Sequence, residues 1–113
     1  MRVGQLDCRI RLQRRVKNED KLGTNDYTFA DVDVRPIVWA AVQPLRGREF
    51  FAASEMQSEI TTRFTILYRK DIDSTMRVIW GGVPYDIAAP PIDVGGKRVW
   101  LELMCKSGVG DGR

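Results

Sequence analysis

Apolar and polar positions alternate with a period of two through most of the chain. In residues 6–12, LDCRIRL, the side chains of Leu6, Cys8, Ile10 and Leu12 alternate with Asp7, Arg9 and Arg11. This is the pattern of a half-buried strand with a basic outer face. Residues 37–42, IVWAAV, are apolar on both faces apart from small alanines, which predicts a strand covered on both sides or set against a partner. The clearest alternation is in residues 61–69, TTRFTILYR, with Phe64, Ile66 and Tyr68 in one phase and Arg63, Thr65 and Leu67 in the other. Residues 76–80 and 83–87 are separated by Gly81 and Gly82, a pair that supplies the positive φ angles of a tight hairpin. Residues 98–106, RVWLELMCK, place Val99, Leu101, Leu103 and Cys105 opposite Trp100, Glu102, Met104 and Lys106. Six strands in this order predict a mainly β chain.

One segment departs from the period of two. Residues 48–57, REFFAASEMQ, contain good helix formers after the Gly47 break, and a short helix is expected there, between the second and third strands. Its apolar stripe is poor, which leaves two readings open: a phenylalanine plugs the mouth of the β structure, or the segment faces a partner. Residues 17–35 form a long loop, polar and acidic apart from Tyr27 and Phe29, and loops of such length are usually functional or disordered. Pro90, Pro91, Gly95 and Gly96 punctuate a second connection, and residues 108–113, GVGDGR, read as a loose tail on a single domain over residues 1–107.

A chain of 113 residues has room for one core. Its 43% hydrophobic and 29% charged content is ordinary for a globular protein. No apolar run reaches the roughly 20 residues that cross a bilayer, and residues 1–12 have no signal-peptide stretch. The expectation is no membrane association, with synthesis and assembly in the cytoplasm and Cys8 and Cys105 as two reduced, buried and dispensable thiols.

Candidate chemistry is sparse. Histidine is absent, which removes the commonest general base and metal ligand. NEDKLG begins like a calcium loop, but Leu22 fills an oxygen-ligand position and Phe29 stands where the closing glutamate belongs. GVGDG has no following helix to bind a phosphate, and Asp71 and Asp73 flank a turn, where aspartate caps backbone. No cofactor and no metal are expected, and the residues read as a binding or structural protein rather than an enzyme.

Charge is unevenly spread. Arg9, Arg11, Arg14, Arg15 and Lys17 make the first strand and its exit basic, whereas Glu19, Asp20, Asp26, Asp31 and Asp33 make the following loop acidic. Opposite patches suit head-to-tail self-assembly, one subunit's basic strand facing its neighbour's acidic loop; a solvated strand beside a solvated loop is the plainer reading. The net charge of +3 permits non-specific contact with double-stranded DNA without demanding it.

Over about 100 residues, the order and spacing of these segments resemble the head-tail joining or head-closure (stopper) proteins of tailed bacteriophages. The likeness is carried by MRVGQLDCRIRLQRR, by VWAAVQPLRGREF with its W-A-x-V-x-P-x-x-G-x-E frame, by TTRFTILYRKDID with T-x-R-x-x-I-x-Y-R, by WGGVPYDIAAP and by the final RVWLELMCK. It implies a small six-strand β-barrel with one short helix and long loops. It also implies a structural role in the virion neck: a ring, six- or twelve-fold, between the portal or adaptor and the tail, which retains packaged DNA and docks the tail. On this reading Trp39, Ala41 and Val42 belong to the barrel, and Arg46, Arg48, Glu49, Phe50 and Phe51 project toward a neighbouring subunit or the channel. Together with Arg9, Arg11 and Arg15 they form the expected partner interface.

Two rivals from other classes accompany this reading. A basic barrel with exposed aromatics could bind single-stranded nucleic acid by itself, although the aromatic residues look divided between faces rather than interleaved with cations. A small-ligand barrel or enzyme would need an interior cavity. The apolar phases instead place Leu6, Ile10, Phe64, Ile66, Val99, Leu101 and Leu103 in the interior, and Cys8 and Cys105 lie in the inward phase of first and last strands that adjoin in many closed barrels.

Overall fold

The computed structural model describes residues 3–17, 27–45 and 61–107. Eight antiparallel strands account for most of them: β1 (Cys8–Lys17), β2 (Tyr27–Asp31), β3 (Ile37–Pro44), β4 (Thr62–Leu67), β5 (Arg77–Trp80), β6 (Val83–Ile87), β7 (Ile92–Asp93) and β8 (Trp100–Ser107). Among the described residues the helical structure is confined to two single 3-10 turns, Val3–Gln5 and Val94–Gly96. The helix expected over residues 48–57 lies outside the described residues, as does the tail over residues 108–113.

Six of the strands close on themselves. The sheet runs β1-β3-β4-β8-β6-β5, and β5 pairs back onto β1 through Arg11↔Ile79, Leu12↔Val78 and Gln13↔Arg77. These six are the strands that the alternation predicts. Closure leaves no free edge within the ring. The β5–β6 hairpin turns at Gly81 and Gly82, whose φ angles of 63° and 80° favour a residue without a β-carbon, and Trp80 faces Val83 across it.

Every interior stave contributes its alternate side chains. Ile10, Leu12, Ala40, Phe64, Ile66, Val78, Ile87, Leu101, Leu103 and Cys105 are buried, and Val32, Ile72 and Met76 add to the same cluster from the connections. Phe64, with none of its surface exposed, stands at the centre, its ring edge-on to Trp80 at 6.0 Å and to Tyr85 at 5.3 Å. Edge-to-face contacts of this kind add about 0.5–1.5 kcal/mol beyond area burial. A six-strand ring is narrow, so side chains fill it as a packed core.

Four expectations are corrected. Val99 is 46% exposed although it shares the phase of Leu101 and Leu103. Arg98 before it has φ 59°, with its amide held by the Asp93 carboxylate at 2.9 Å, and the regular strand starts only at Trp100. Cys8 is part-exposed at the rim beside Asp7, whereas Cys105 is buried. The first and last strands do not adjoin: β1 pairs with β2, β3 and β5, and β8 with β4, β6 and β7. The stretch of residues 17–35 is not all loop, because Tyr27–Asp31 forms β2 against residues 13–17 of β1.

β1 is long because it serves two structures. Residues 8–11 pair with β3 in the barrel wall and residues 13–17 pair with β2 in an arm beyond it. Between them the Leu12 amide donates to the Pro36 carbonyl at 2.7 Å, and the Leu12 carbonyl accepts from the Val32 amide at 3.1 Å. β2 and β3 therefore follow each other along one edge of β1, with residues 32–36 looping out between them.

That loop is pinned by Arg69. Its guanidinium donates to the carbonyls of Val34 and Arg35, both at 2.7 Å, and forks onto Asp71 at 2.6 and 2.8 Å. The Arg69 side chain is only 8% exposed. Arg35 holds a positive φ of 46°, a conformation that costs an L-residue energy and persists where its surroundings fix it.

Candidate interaction face

The outward phase of β1 is Arg9, Arg11, Gln13, Arg15 and Lys17, and the flanking strands supply what lies beside each of them. Trp39 faces Arg9, Ile37 and Ile79 flank Arg11, Asp31 and Arg77 flank Gln13, Phe29 faces Arg15, and Tyr27 faces Lys17. The result is one continuous outer face on β5, β1, β2 and the start of β3.

Arginines on this face lie over rings. The Arg9 guanidinium carbon is 5.6 Å from the Trp39 ring centroid, Arg15 is 4.9 Å from Tyr27, and Arg77 is 4.1 Å from Phe29. Such pairs attract through the ring quadrupole by roughly 0.5–1 kcal/mol at exposed sites. They also hold the guanidinium fork in place, so less freedom is lost when it meets an anion.

Polar groups tie the same face together. Arg77 Nε donates to Gln13 Oε1 at 2.9 Å, Gln13 Nε2 donates to Asp31 Oδ1 at 3.0 Å, and Arg11 donates to Asp31 Oδ2 at 2.6 Å. The Gln13 amide, and after it the Arg11 guanidinium, hold the Asp31 carboxyl below its ordinary pKa. On the opposite side of the arm, Arg14 stands 3.8 Å from Asp33.

Next to Trp39 the surface turns apolar. A groove of about 610 Å³ is lined by Leu6, Ile37, Val38, Trp39, Leu67 and Tyr68, with Arg35 and Arg69 at its margin. Trp39 is 53% exposed, and Ile37 and Leu67 nearly as much. Trp39 thus belongs to the barrel wall but points out of it, while Val38 and Val42 pack against the core and Ala40 is buried in it. No described part of the chain covers the outer face that residues 37–42 were expected to bury.

The sequence-expected site residues divide into three groups. Arg9, Arg11 and Arg15 share the outer face. Asp31 lies on it too, bound to Arg11 of its own chain, and Asp33 is beside Arg14. Arg46, Arg48, Glu49, Phe50 and Phe51, with Glu19, Asp20 and Asp26, fall outside the described residues. Tyr27, Phe29, Trp39 and Arg77 were not foreseen as partners of the basic strand. Alternation places each side chain in or out, but only the pairing of β2, β3 and β5 with β1 brings these four beside it, and that pairing overturns the impression that aromatics and cations are segregated.

Comparison with known proteins agrees with this architecture. The phage head completion protein family matches residues 1–108. A protein from Shigella flexneri 2a, with a structure determined in solution, superposes with a TM-score of 0.77 at 28% sequence identity, covering 98% of this chain and 100% of that one. No curated protein matches the chain.

Proposed function

Because the chain belongs to the phage head completion protein family, a family of structural phage head proteins, we propose that it works in the virion neck, joining the DNA-filled head to the tail and helping to retain the packaged DNA. The family match over residues 1–108 carries this reading. The architecture supports it: the barrel interior is filled by side chains, which leaves the outside to do the work, and that outside is rich in arginine and aromatic residues, the types that anchor macromolecular interfaces.

In this reading copies of the chain form a closed ring, six- or twelve-fold, against the portal or adaptor on one side and tail proteins on the other. Arg46, Arg48, Glu49, Phe50 and Phe51 extend the interface beyond the described residues. The chain needs no cofactor and catalyses no reaction. It is made and assembled in the host cytoplasm and ends in the virion.

A genetic experiment tests this. A phage from which the coding sequence is deleted accumulates DNA-packed heads and complete but unattached tails, and supplying the chain in trans restores infectious particles. Normal tailed particles from the deletion would contradict it.

The alternative is a stand-alone binder of single-stranded nucleic acid. The interleaving of Arg9, Arg15 and Arg77 with Trp39, Tyr27 and Phe29 favours it more than the sequence alone does. However, each of these rings already has an arginine over one face, and a base stacking on that face would have to displace it.

A further inference from the structure

We propose that the outer face of β1 is a track for the phosphate backbone of double-stranded DNA. This rests on the neck reading for the source of the DNA, and it adds the surface that touches it. The contact involves the exposed edges of Arg9, Arg15 and Lys17, assisted by Arg11 and Arg77.

The spacing favours a linear polyanion. Side chains two residues apart on a strand are separated by about 6.6–6.8 Å, so the outward phase from Arg9 to Lys17 spreads over roughly 27 Å. The row continues without interruption from the barrel wall onto the arm formed with β2. A duplex carries one negative charge per about 1.7 Å of its axis, and a row of fixed cations meets such a ladder without a folded partner of matching shape.

The charge balance agrees. Arg9, Arg11, Arg15, Lys17 and Arg77 share the face with two carboxylates, Asp31, which is occupied by Arg11 and Gln13, and Asp86 of β6, which faces Arg77. Arg9, Arg15 and Lys17 are exposed. The chain as a whole has a net charge of only +3, so positive charge is concentrated here rather than spread evenly.

Stacking selects the form of nucleic acid. With guanidinium groups lying over Trp39, Tyr27 and Phe29, the rings act as supports that hold the guanidinium groups in place on the face. A phosphate accepts such a fork, whereas an unpaired base stacking on the same ring face would have to displace it. The face therefore suits duplex backbone over single strands, and it contains no constellation for reading base edges, so binding is independent of sequence.

The test uses the purified full-length chain and a fluorescein-labelled mixed-sequence duplex, with anisotropy followed between 50 and 200 mM NaCl. The wild type is expected to bind with a dissociation constant on the order of 10⁻⁵ M at low salt, weakening steeply as salt rises. In the Arg9→Gln, Arg15→Gln, Lys17→Gln variant the slope of log K against log salt becomes shallower by about 2 to 3 units. The Arg9→Lys, Arg15→Lys variant keeps the wild-type slope. Lys17→Gln alone, at the end of the arm and away from the core, lowers the slope by about 1, which keeps the test decisive if the triple variant fails to fold.

No binding by the wild type at 50 mM NaCl overturns the proposal. So does an unchanged slope in the neutralised variants, tighter binding of a single strand of equal length, or loss of the slope in the lysine variant. In phage, heads carrying the triple variant accept tails but lose DNA. Failure to accept tails shows that the face binds protein instead, which overturns the DNA track and leaves the neck reading standing.

Discussion

β1 provides a comparison within one strand. From Cys8 to Leu12 it is a barrel stave, with Ile10 and Leu12 almost wholly removed from solvent between β3 and β5. From Gln13 to Lys17 it is an arm of the β1–β2 hairpin, where no side chain is fully buried. The backbone pattern is the same in both halves and the inner faces differ: apolar side chains in the first, Arg14 and Val16 in the second. Stability therefore resides in one half and accessibility in the other, and the basic outer phase runs unbroken across the junction. A barrel able to fold on its interior alone leaves its exterior free to be specialised for partners.

The largest expected effect breaks the stave side. Phe64→Ala removes a ring with no exposed surface and its contacts with Trp80 and Tyr85, and should cost about 3–5 kcal/mol in a denaturant titration. A cost within experimental error would mean that the barrel interior does not hold the fold. Ile66→Ala, equally enclosed, should cost about 2–5 kcal/mol.

A smaller effect is expected at the junction between the regions. Arg69→Ala leaves the carbonyls of Val34 and Arg35 without their donor and Asp71 without its fork. The Arg69 guanidinium lowers the Asp71 pKa, as a bound cation should. The expected loss is about 1–3 kcal/mol, with faster amide exchange in residues 32–36. Exchange unchanged there would show that the loop holds itself.

The smallest effect belongs to the arm. Asp31 has a depressed pKa, through Gln13 first and Arg11 next, so the folded state favours its charged form. Its contribution is complete above the unfolded value of about 4 and is lost as pH falls through the lower folded value. Asp31→Asn should flatten the stability profile below about pH 4 while leaving its shape near neutrality unchanged. An identical acid limb in the variant would remove Asp31 from the linkage.

How much of this was legible in the sequence follows from what periodicity encodes. Strict alternation around Leu6, Ile10, Phe64, Ile66, Leu101 and Leu103 identified six core positions and the strands bearing them, and Gly81–Gly82 identified the hairpin. The family resemblance supplied the barrel. Val99 misled because a left-handed residue at Arg98 interrupts the phase, and nothing in the residue type announces φ 59° there. Cys8 misled because alternation gives the direction of a side chain but not its distance from the rim. β2 was missed because a short strand with Asp31 at its end and a polar lead-in looks like loop, and its pairing with residues 13–17 is a tertiary fact. The candidate face was half legible for the same reason: Arg9, Arg11 and Arg15 could be assigned to one face of one strand, while Trp39, Tyr27, Phe29 and Arg77 join them only through pairing partners.

The proposed position of this chain in the neck is tested most directly by electron microscopy. Purified protein is mixed with portal-bearing, DNA-filled heads and the portal vertex is reconstructed before tails are added. The expected result is a ring of added density at that vertex, made of copies of a barrel into which β1, β3, β4, β8, β6 and β5 fit, and heads that then accept tails. A bare vertex, or density distributed over the capsid shell, would contradict it.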